Sequence, residues 1–193
     1  MLIVGLTGGL ACGKSLVAME LGRLGCRIVE ADELGHAVLQ PGGEAHDAVV
    51  REFGTADRPR LASLVFGDPD AVARLNAIVH PAVRRLARRR FDEIAAADPH
   101  SIAVYVAAIL IESGGYREVD KLIVLSCPRE QQIARALERP NATQADVLAR
   151  LDRQWPLQKK LEYADYVIDT GGTKEHALNQ TKIVFEDLRR LAT

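Results

Sequence analysis

The sequence predicts an α/β protein with a parallel sheet, because short apolar runs alternate with stretches of helical spacing. The runs are apolar on both faces, as expected for strands that helices cover on each side of a sheet. Residues 33–98 differ, since they hold several helical patterns and no convincing strand. We therefore expect a single domain over 1–193, with a core at about 1–32 and 99–193, a helical substrate-binding insert at about 33–98, and a lid at about 135–150.

The strands of the core are predicted from apolar runs that are rich in β-branched residues and bounded by turn residues. A helix is predicted over 15–24, where apolar side chains recur at helical spacing and Gly25 provides a stop signal. In chain order, the predicted strands are 2–6, 26–29, 101–111, 121–126 and 166–168.

The insert is predicted to be all-helical. Its clearest helices are 70–79 and 82–97, and the His80-Pro81 pair between them is typical of a hinge or an N-terminal cap. Further along, a proline and an asparagine interrupt two helical patterns, and we expect the segment 138–143 to be flexible.

Composition excludes several classes of protein. The chain has 193 residues, 48% of them hydrophobic and 26% charged, which is ordinary for a globular domain. The net charge of −1 lacks the basic excess of a nucleic-acid-binding protein. Three cysteines with no C-x-x-C spacing argue against a disulfide framework or a structural zinc site, and no stretch reaches membrane-helix length. We expect a cytoplasmic monomer, with an oligomer left open.

A phosphate-binding motif lies between the first strand and the first helix. Residues 8–15, GGLACGKS, match G-x-x-x-x-G-K-[ST]. Glycines let backbone N–H groups wrap around phosphate oxygens, Lys14 neutralises the β- and γ-phosphates, and the Ser15 hydroxyl can ligate Mg²⁺. The alternative is a glycine-rich turn with an exposed lysine. The motif in this context predicts a P-loop NTPase-type three-layer sandwich.

Two acids follow predicted strands and are expected at the same edge of the sheet. Asp32 follows the second strand and Glu112 the third, so both carboxylates should point toward the γ-phosphate. Asp32 is suited to accept or orient the proton of an attacking hydroxyl. The alternatives are an N-cap role for Asp32 on a helix at 33–39, and a solvated Glu112 before a glycine turn.

Arginines in the second half of the chain are candidates for phosphate contacts. Arg135 and Arg139 are four residues apart, and we expect them on one helix face that runs into the lid. They could move onto ATP phosphates and stabilise transition-state charge, or form a solvated face. A basic run at 84–90 is also either a solvated face or a grip for an anionic substrate.

Cys12 lies inside the phosphate loop, two residues before Lys14. A nearby ammonium and a helix N-terminus both stabilise a thiolate, so we expect a lowered Cys12 pKa and the most reactive thiol of the three. The alternative is a small apolar filler whose sulfur turns into the core.

Several stretches together resemble a known family. GLTGGLACGKS, VEADELGHAVLQPG, RLASLVF, LNAIVHP and ADYVIDTGG occur in the order found in dephospho-coenzyme A kinases. The resemblance runs from about Gly5 to Gly172, and the His-Pro pair and the ADYVID stretch make it more specific than the phosphate loop alone.

The resemblance implies an enzyme that moves the γ-phosphoryl group of ATP, with Mg²⁺, onto the ribose 3′-hydroxyl of dephospho-coenzyme A in the last step of coenzyme A synthesis. It implies catalytic roles for Asp32, Lys14 and Arg139, and a metal ligand at Ser15. The implied ATP-binding residues are Gly8, Ala11, Cys12, Gly13, Lys14, Ser15, Leu16, Arg135 and Arg139. The implied acceptor-binding residues are Asp32, His36, His80 and Glu112.

This chain departs from the family pattern at a few positions. It has Cys12 where a small residue is usual, Leu16 for threonine, Glu30 for aspartate, His36 for arginine and Ala108 for proline. Lys14, Ser15 and Asp32 keep the pattern, so the resemblance still implies the reaction class.

Three other classes of function remain open. Another small-molecule P-loop kinase could act on a nucleotide or nucleoside. A nucleotide-switch GTPase would fit residues 169–172, which match D-x-x-G, but no N-K-x-D follows to read guanine. A binding module without catalysis is disfavoured by Asp32 beside an intact loop. For the first of these alternatives, another small-molecule kinase, the test is which acceptor is phosphorylated with ATP held constant.

Overall fold

The computed structural model describes residues 1–65 and 67–192. Phe66, the last residue of the RLASLVF stretch, lies outside the described residues. The chain divides into two compact units, one formed by Met1–Val29 together with the chain from Ile94 onward, and the other by Glu30–Glu93.

The first unit is built on a five-stranded sheet. Its strands are β1 (Leu2–Gly8), β2 (Arg27–Glu30), β3 (Ile102–Val106), β4 (Lys121–Ser126) and β5 (Tyr166–Asp169), in the order β2-β3-β1-β4-β5. β1 runs parallel to both β3 and β4, and β5 runs parallel to β4. The predicted α/β fold with a parallel sheet is confirmed.

Helices form most of the remaining chain. In order they are α1 (Lys14–Arg23), α2 (Ala31–Ala37), α3 (His46–Phe53), α4 (Arg58–Val65), α5 (Pro69–Ala97), α6 (Arg129–Leu137), α7 (Gln144–Asp152), α8 (Leu157–Leu161) and α9 (Lys174–Leu191), with a short 3₁₀ turn at Gly115–Glu118. None of the helices in the described part of the chain is long and apolar enough to cross a membrane.

Both faces of the sheet are covered, which accounts for strands without polar alternation. Along β4, Ile123 and Leu125 are buried in a cluster to which α1 and α9 contribute Val17 and Leu188. The intervening residues of β4 point to the opposite face, because side chains alternate along a strand. There they pack with Trp155 and with residues of α8. The first unit is therefore a three-layer sandwich.

The predicted third strand is too long. β3 ends at Val106, and residues 108–111 form a turn in place of further strand. Leu110 and Ile111 are nevertheless buried, and a Cβ on Gly5 would come within 2.6 Å of Leu110 Cδ2. The apolar run thus reflects burial of the turn against the sheet, which periodicity alone cannot distinguish from a strand.

The second unit is helical, comprising α2 to α5 around buried side chains such as Val38, Val49 and Leu61. The prediction of two helices at 70–79 and 82–97 is wrong, because α5 runs unbroken through His80 and Pro81. A proline inside a helix removes one backbone hydrogen bond. Burial of α5 side chains on both sides of Pro81, from Ala71 to Phe91, holds the helix together across that point.

Candidate active site

The loop after β1 has the shape expected of a phosphate-binding loop. Ala11 and Gly13 adopt left-handed conformations, with φ of 55° and 79°, and α1 begins at the next residue, Lys14. The backbone N–H groups of Ala11, Gly13 and Ser15 donate to no acceptor within the described residues. Such free N–H groups at a helix N-terminus form a ready site for an anion.

Lys14 folds back onto this loop. Its Nζ donates to the carbonyl oxygens of Gly8, at 3.0 Å, and Gly9, at 2.9 Å. The ammonium therefore lies beside the loop backbone, where it can neutralise a bound phosphate. Leu16, in the first turn of α1, is half-buried and offers no hydroxyl there.

Close packing explains the first two glycines of the motif. A Cβ on Gly8 would lie 2.8 Å from the Cβ of Leu125, and a Cβ on Gly9 would lie 2.3 Å from Oε1 of Gln132. Gln132 is itself buried, and its Nε2 donates to the Cys127 carbonyl oxygen at 2.8 Å. The loop thus runs directly over β4 and α6, with no room for a side chain at these positions.

The expectation of a reactive Cys12 is wrong. The residue is 1% exposed, and burial raises the pKa of its thiol to about 12, with the nearby Cys127 adding to the rise and Lys14 opposing it. Burial also raises the pKa of Cys26 to about 12. The loss of solvent outweighs the ammonium and the helix dipole, and Cys12 is the small apolar filler of the alternative reading.

We expect the Cys12 thiol to resist alkylation in the native protein. At pH 8 its thiolate fraction should be roughly 1000-fold below that of a thiol with the ordinary pKa of 9.0, since each pKa unit changes the fraction tenfold. Iodoacetamide labelling read by peptide mass spectrometry checks this, with guanidinium-unfolded protein as the control in which Cys12 reacts. Fast native labelling of Cys12 that MgATP suppresses would restore the reactive-thiol reading.

Arg135 and Arg139 occupy different surroundings. The prediction that they share one helix face is wrong, because α6 ends at Leu137 and Arg139 lies in the turn that follows. Arg135 is half-buried, and its Nη2 donates to the Thr170 carbonyl oxygen at 2.9 Å. Arg139 is exposed and lines a cavity of about 150 Å³ beside Leu10 of the phosphate loop.

Thr170 is a residue that sequence reasoning missed. Its Oγ1 lies 2.9 Å from the Cys12 carbonyl oxygen and 3.0 Å from that of Ser126, so one hydroxyl ties the loop to the end of β4. Asp169, the first residue of the D-x-x-G match, accepts a hydrogen bond from the Gly171 N–H at 2.8 Å. That carboxylate therefore shapes the turn after β5.

Glu112 is neither solvated nor at the end of a strand. It lies six residues beyond Val106, and its side chain is 12% exposed. Glu112 Oε1 pairs with Nζ of Lys160 at 2.9 Å and accepts the Trp155 N–H at 3.0 Å. Lys160, itself 1% exposed, also donates to the Ala108 carbonyl oxygen at 3.2 Å. The expected solvated alternative for Glu112 is wrong.

A cavity of about 420 Å³ lies beside the start of the phosphate loop. Its lining includes Gly9, Gln132, Gln154, Trp155 and Lys160. Lys160 reaches its wall already paired with Glu112, and the tryptophan gives the wall an apolar surface. The cavity is thus suited to a ligand with both polar and apolar parts.

The other predicted site residues lie in the helical unit. Asp32 is exposed in the first turn of α2, two residues after the end of β2. The alternative prediction that Asp32 is an N-cap is wrong, because Glu30 occupies the cap position of α2.

His36 is exposed, with Nε2 3.0 Å from Nε2 of Gln40. His80 is half-buried in the middle of α5, where burial and then the charge of Arg84 lower its pKa.

Most of the basic run in α5 is neutralised within the helical unit. Arg85 and Arg89 both pair with Glu44, and Arg90 pairs with Glu93. The two arginines hold the pKa of the Glu44 carboxyl below its ordinary value, chiefly through the hydrogen bond from Arg85. These pairs favour the solvated-face reading of the run.

The comparisons with known proteins agree with this geometry. The family model described as dephospho-CoA kinase matches residues 2–175. A dephospho-CoA kinase of Geobacter metallireducens is 41% identical, over 97% of this chain and 96% of the relative. A crystallised protein from Thermus thermophilus superposes with a TM-score of 0.82 at 29% identity, covering 96% and 97% of the two chains. A dephospho-CoA kinase from Campylobacter jejuni shares the fold, with a TM-score of 0.70 at 24% identity over 99% of this chain and 98% of the other.

Proposed function

The chain belongs to the dephospho-CoA kinase family, and we propose that it transfers the γ-phosphoryl group of ATP to the ribose 3′-hydroxyl of dephospho-coenzyme A. The observation that carries the proposal is the phosphate loop, in which unpaired backbone N–H groups and the Lys14 ammonium lie together. A loop of this kind holds the phosphates of a nucleotide in phosphoryl transferases.

Different residues of the loop would contact different parts of the ATP phosphates. The N–H groups of Ala11, Gly13 and Ser15 would donate to phosphate oxygens, and Lys14 would balance the charge on the β- and γ-phosphates. Gly8 and Cys12 contribute as backbone only, because the first has no room for a side chain and the second buries its thiol.

Mg²⁺ fits the residues present. The described residues hold no group of three or more His, Cys, Asp or Glu side chains suited to a metal. A phosphate-bound Mg²⁺ needs no such group, since it takes one or two protein ligands and completes its shell with phosphate oxygens and water. The exposed Ser15 hydroxyl at the start of α1 would be its protein ligand. When bound, the ion neutralises charge on the transferring phosphoryl group.

Asp32 would orient the acceptor hydroxyl and accept its proton. The transferring phosphoryl group passes through a loose transition state, so positioning of the nucleophile is the main task left to a protein carboxylate. Arg139, exposed beside the loop, would contact the phosphoryl oxygens as charge redistributes, and Arg135 would contact the nucleotide near Thr170.

His36, His80 and Asp32 are proposed as acceptor-binding residues of the helical unit, and Glu112 as an acceptor-binding residue of the first unit. His80 is suited to a hydrogen bond with a neutral group, because its lowered pKa keeps the ring uncharged at neutral pH. Glu112 would act through the groups it holds, Trp155 and Lys160, which line the cavity beside Gly9.

We also propose a cytoplasmic location and a monomeric enzyme with no nucleic-acid partner. All three cysteines are free thiols, as is usual in a reducing compartment. The net charge of −1 offers no broad basic surface for a polyanion.

The proposal is tested by an ADP-release assay with MgATP and a panel of acceptors. We expect turnover with dephospho-coenzyme A, and none with its 3′-deoxy analogue, adenosine or AMP. Phosphorus NMR of the product should place the new phosphate on the 3′ oxygen. Faster turnover of a nucleoside or nucleotide, or a 2′-phosphate product, would overturn the assignment.

A further inference from the structure

The tip of the phosphate loop packs against the α6–α7 pair. Leu10 and Ala11 lie against a cluster whose buried members are Ala136 of α6 with Val147 and Leu151 of α7. The loop therefore packs on the same two helices, α6 and α7, whose connecting turn carries Arg139. Its shape depends on where those helices sit.

A single side chain fixes the loop tip to the end of this pair. The backbone N–H of Leu10 donates to Oε1 of Gln154 at 2.9 Å, across 144 positions of the chain. Gln154 lies two residues after the end of α7. The adjacent residue, Trp155, donates its N–H to Oε1 of Glu112 at 3.0 Å, so two successive residues anchor the connection between α7 and α8.

We propose that Gln154 is a positioning residue for nucleotide binding. Its amide oxygen takes the Leu10 N–H and keeps the next residue, Ala11, in the left-handed conformation that leaves the loop N–H groups free. Left-handed backbone is unfavourable for a residue with a Cβ, so Ala11 needs such support. Without the Gln154 contact the loop would populate other shapes, and ATP would bind only the competent fraction.

The inference rests on the proposed function only in requiring that this loop bind ATP. Gln154→Met keeps the length of the side chain and removes the acceptor. We expect the Kd for MgATP, measured by calorimetry without dephospho-coenzyme A, to rise about fivefold, the effect of one hydrogen bond. The KM for ATP should rise by the same factor, while kcat changes less than twofold. Inorganic triphosphate, which engages only the loop, should lose the same factor as a competitor.

The matched control is Gln158→Met, at an exposed glutamine four residues away in α8. It should bind ATP and triphosphate like the unaltered protein, and the Tm of Gln154→Met should lie within about 4 °C of its Tm, the shift that loss of one hydrogen bond causes. Equal ATP affinity in the two variants would overturn the proposal. So would a Tm lower by about 10 °C or more in Gln154→Met with kcat and KM both impaired, because that pattern indicates a purely structural role. Failure of the proposed function is seen separately, as normal ATP binding without turnover of dephospho-coenzyme A.

Discussion

Asp32→Asn is expected to lower kcat about 100-fold or more, because asparagine keeps the shape of the side chain but cannot take the proton of the acceptor hydroxyl. The Kd for MgATP should stay within twofold of its starting value, since the phosphates are held by the loop after β1. Steady-state kinetics with saturating dephospho-coenzyme A and calorimetry with ATP measure the two quantities separately.

Glu33→Gln is the matched control for this variant. Glu33 is the next residue of α2, is exposed and also lies in the first turn, so its neutralisation has the same effect on the helix dipole. It should leave kcat near its starting value. Near-normal turnover in a folded Asp32→Asn protein, or an equal loss in Glu33→Gln, would remove Asp32 from the catalytic machinery.

Lys160→Met should destabilise the protein by about 3–5 kcal/mol, the range seen when one partner of a buried ion pair is removed. The variant would leave the Glu112 carboxylate buried without its cation, and Glu112 Oε2 already has no hydrogen-bond partner among the described residues. Urea unfolding followed by tryptophan fluorescence is a direct measure, because Trp155 is the single tryptophan and its backbone N–H donates to Glu112.

Two further variants test whether the lost stability comes from the unpaired buried charge or from the loss of an ion pair as such. Glu112→Gln combined with Lys160→Met should recover more than half of the lost stability, because the orphaned charge is gone while the amide oxygen can still accept the Trp155 N–H. Arg129→Met breaks an exposed pair with Asp152, whose atoms lie 2.7 Å apart, and should cost less than 1 kcal/mol. A loss in Lys160→Met no larger than that of Arg129→Met would show that the pair contributes little.

The phosphate loop was predictable because its signals are local. A short apolar strand, two glycines, a lysine and a helix start follow one another within residues 2–24, and the structure places β1 and α1 within two residues of the predicted ends. β4 was likewise predicted at its observed bounds, Lys121–Ser126, because a compact apolar run lies between turn residues.

The contacts that support the loop were not predictable, because they join distant parts of the chain. Gln154 reaches Leu10 across 144 positions, and Lys160 of α8 pairs with Glu112 in the turn after β3. Neither partner belongs to a short motif. The pKa of Cys12 was wrongly predicted for a similar reason. Its sequence neighbours favour a thiolate, but burial of the thiol in the folded protein outweighs them and raises the pKa.

The strand order has a consequence for how the chain is made. β1 lies at the centre of the sheet, and the residues that flank it there are about 100 and 120 positions further along, as in the pairs Leu2 with Ile102 and Val4 with Lys121. At ribosomal rates of about 5–20 residues per second, β1 waits roughly 6–24 s after emerging before both neighbours exist. During that interval both edges of β1 are unpaired, and an unpaired strand edge is open to association with another chain.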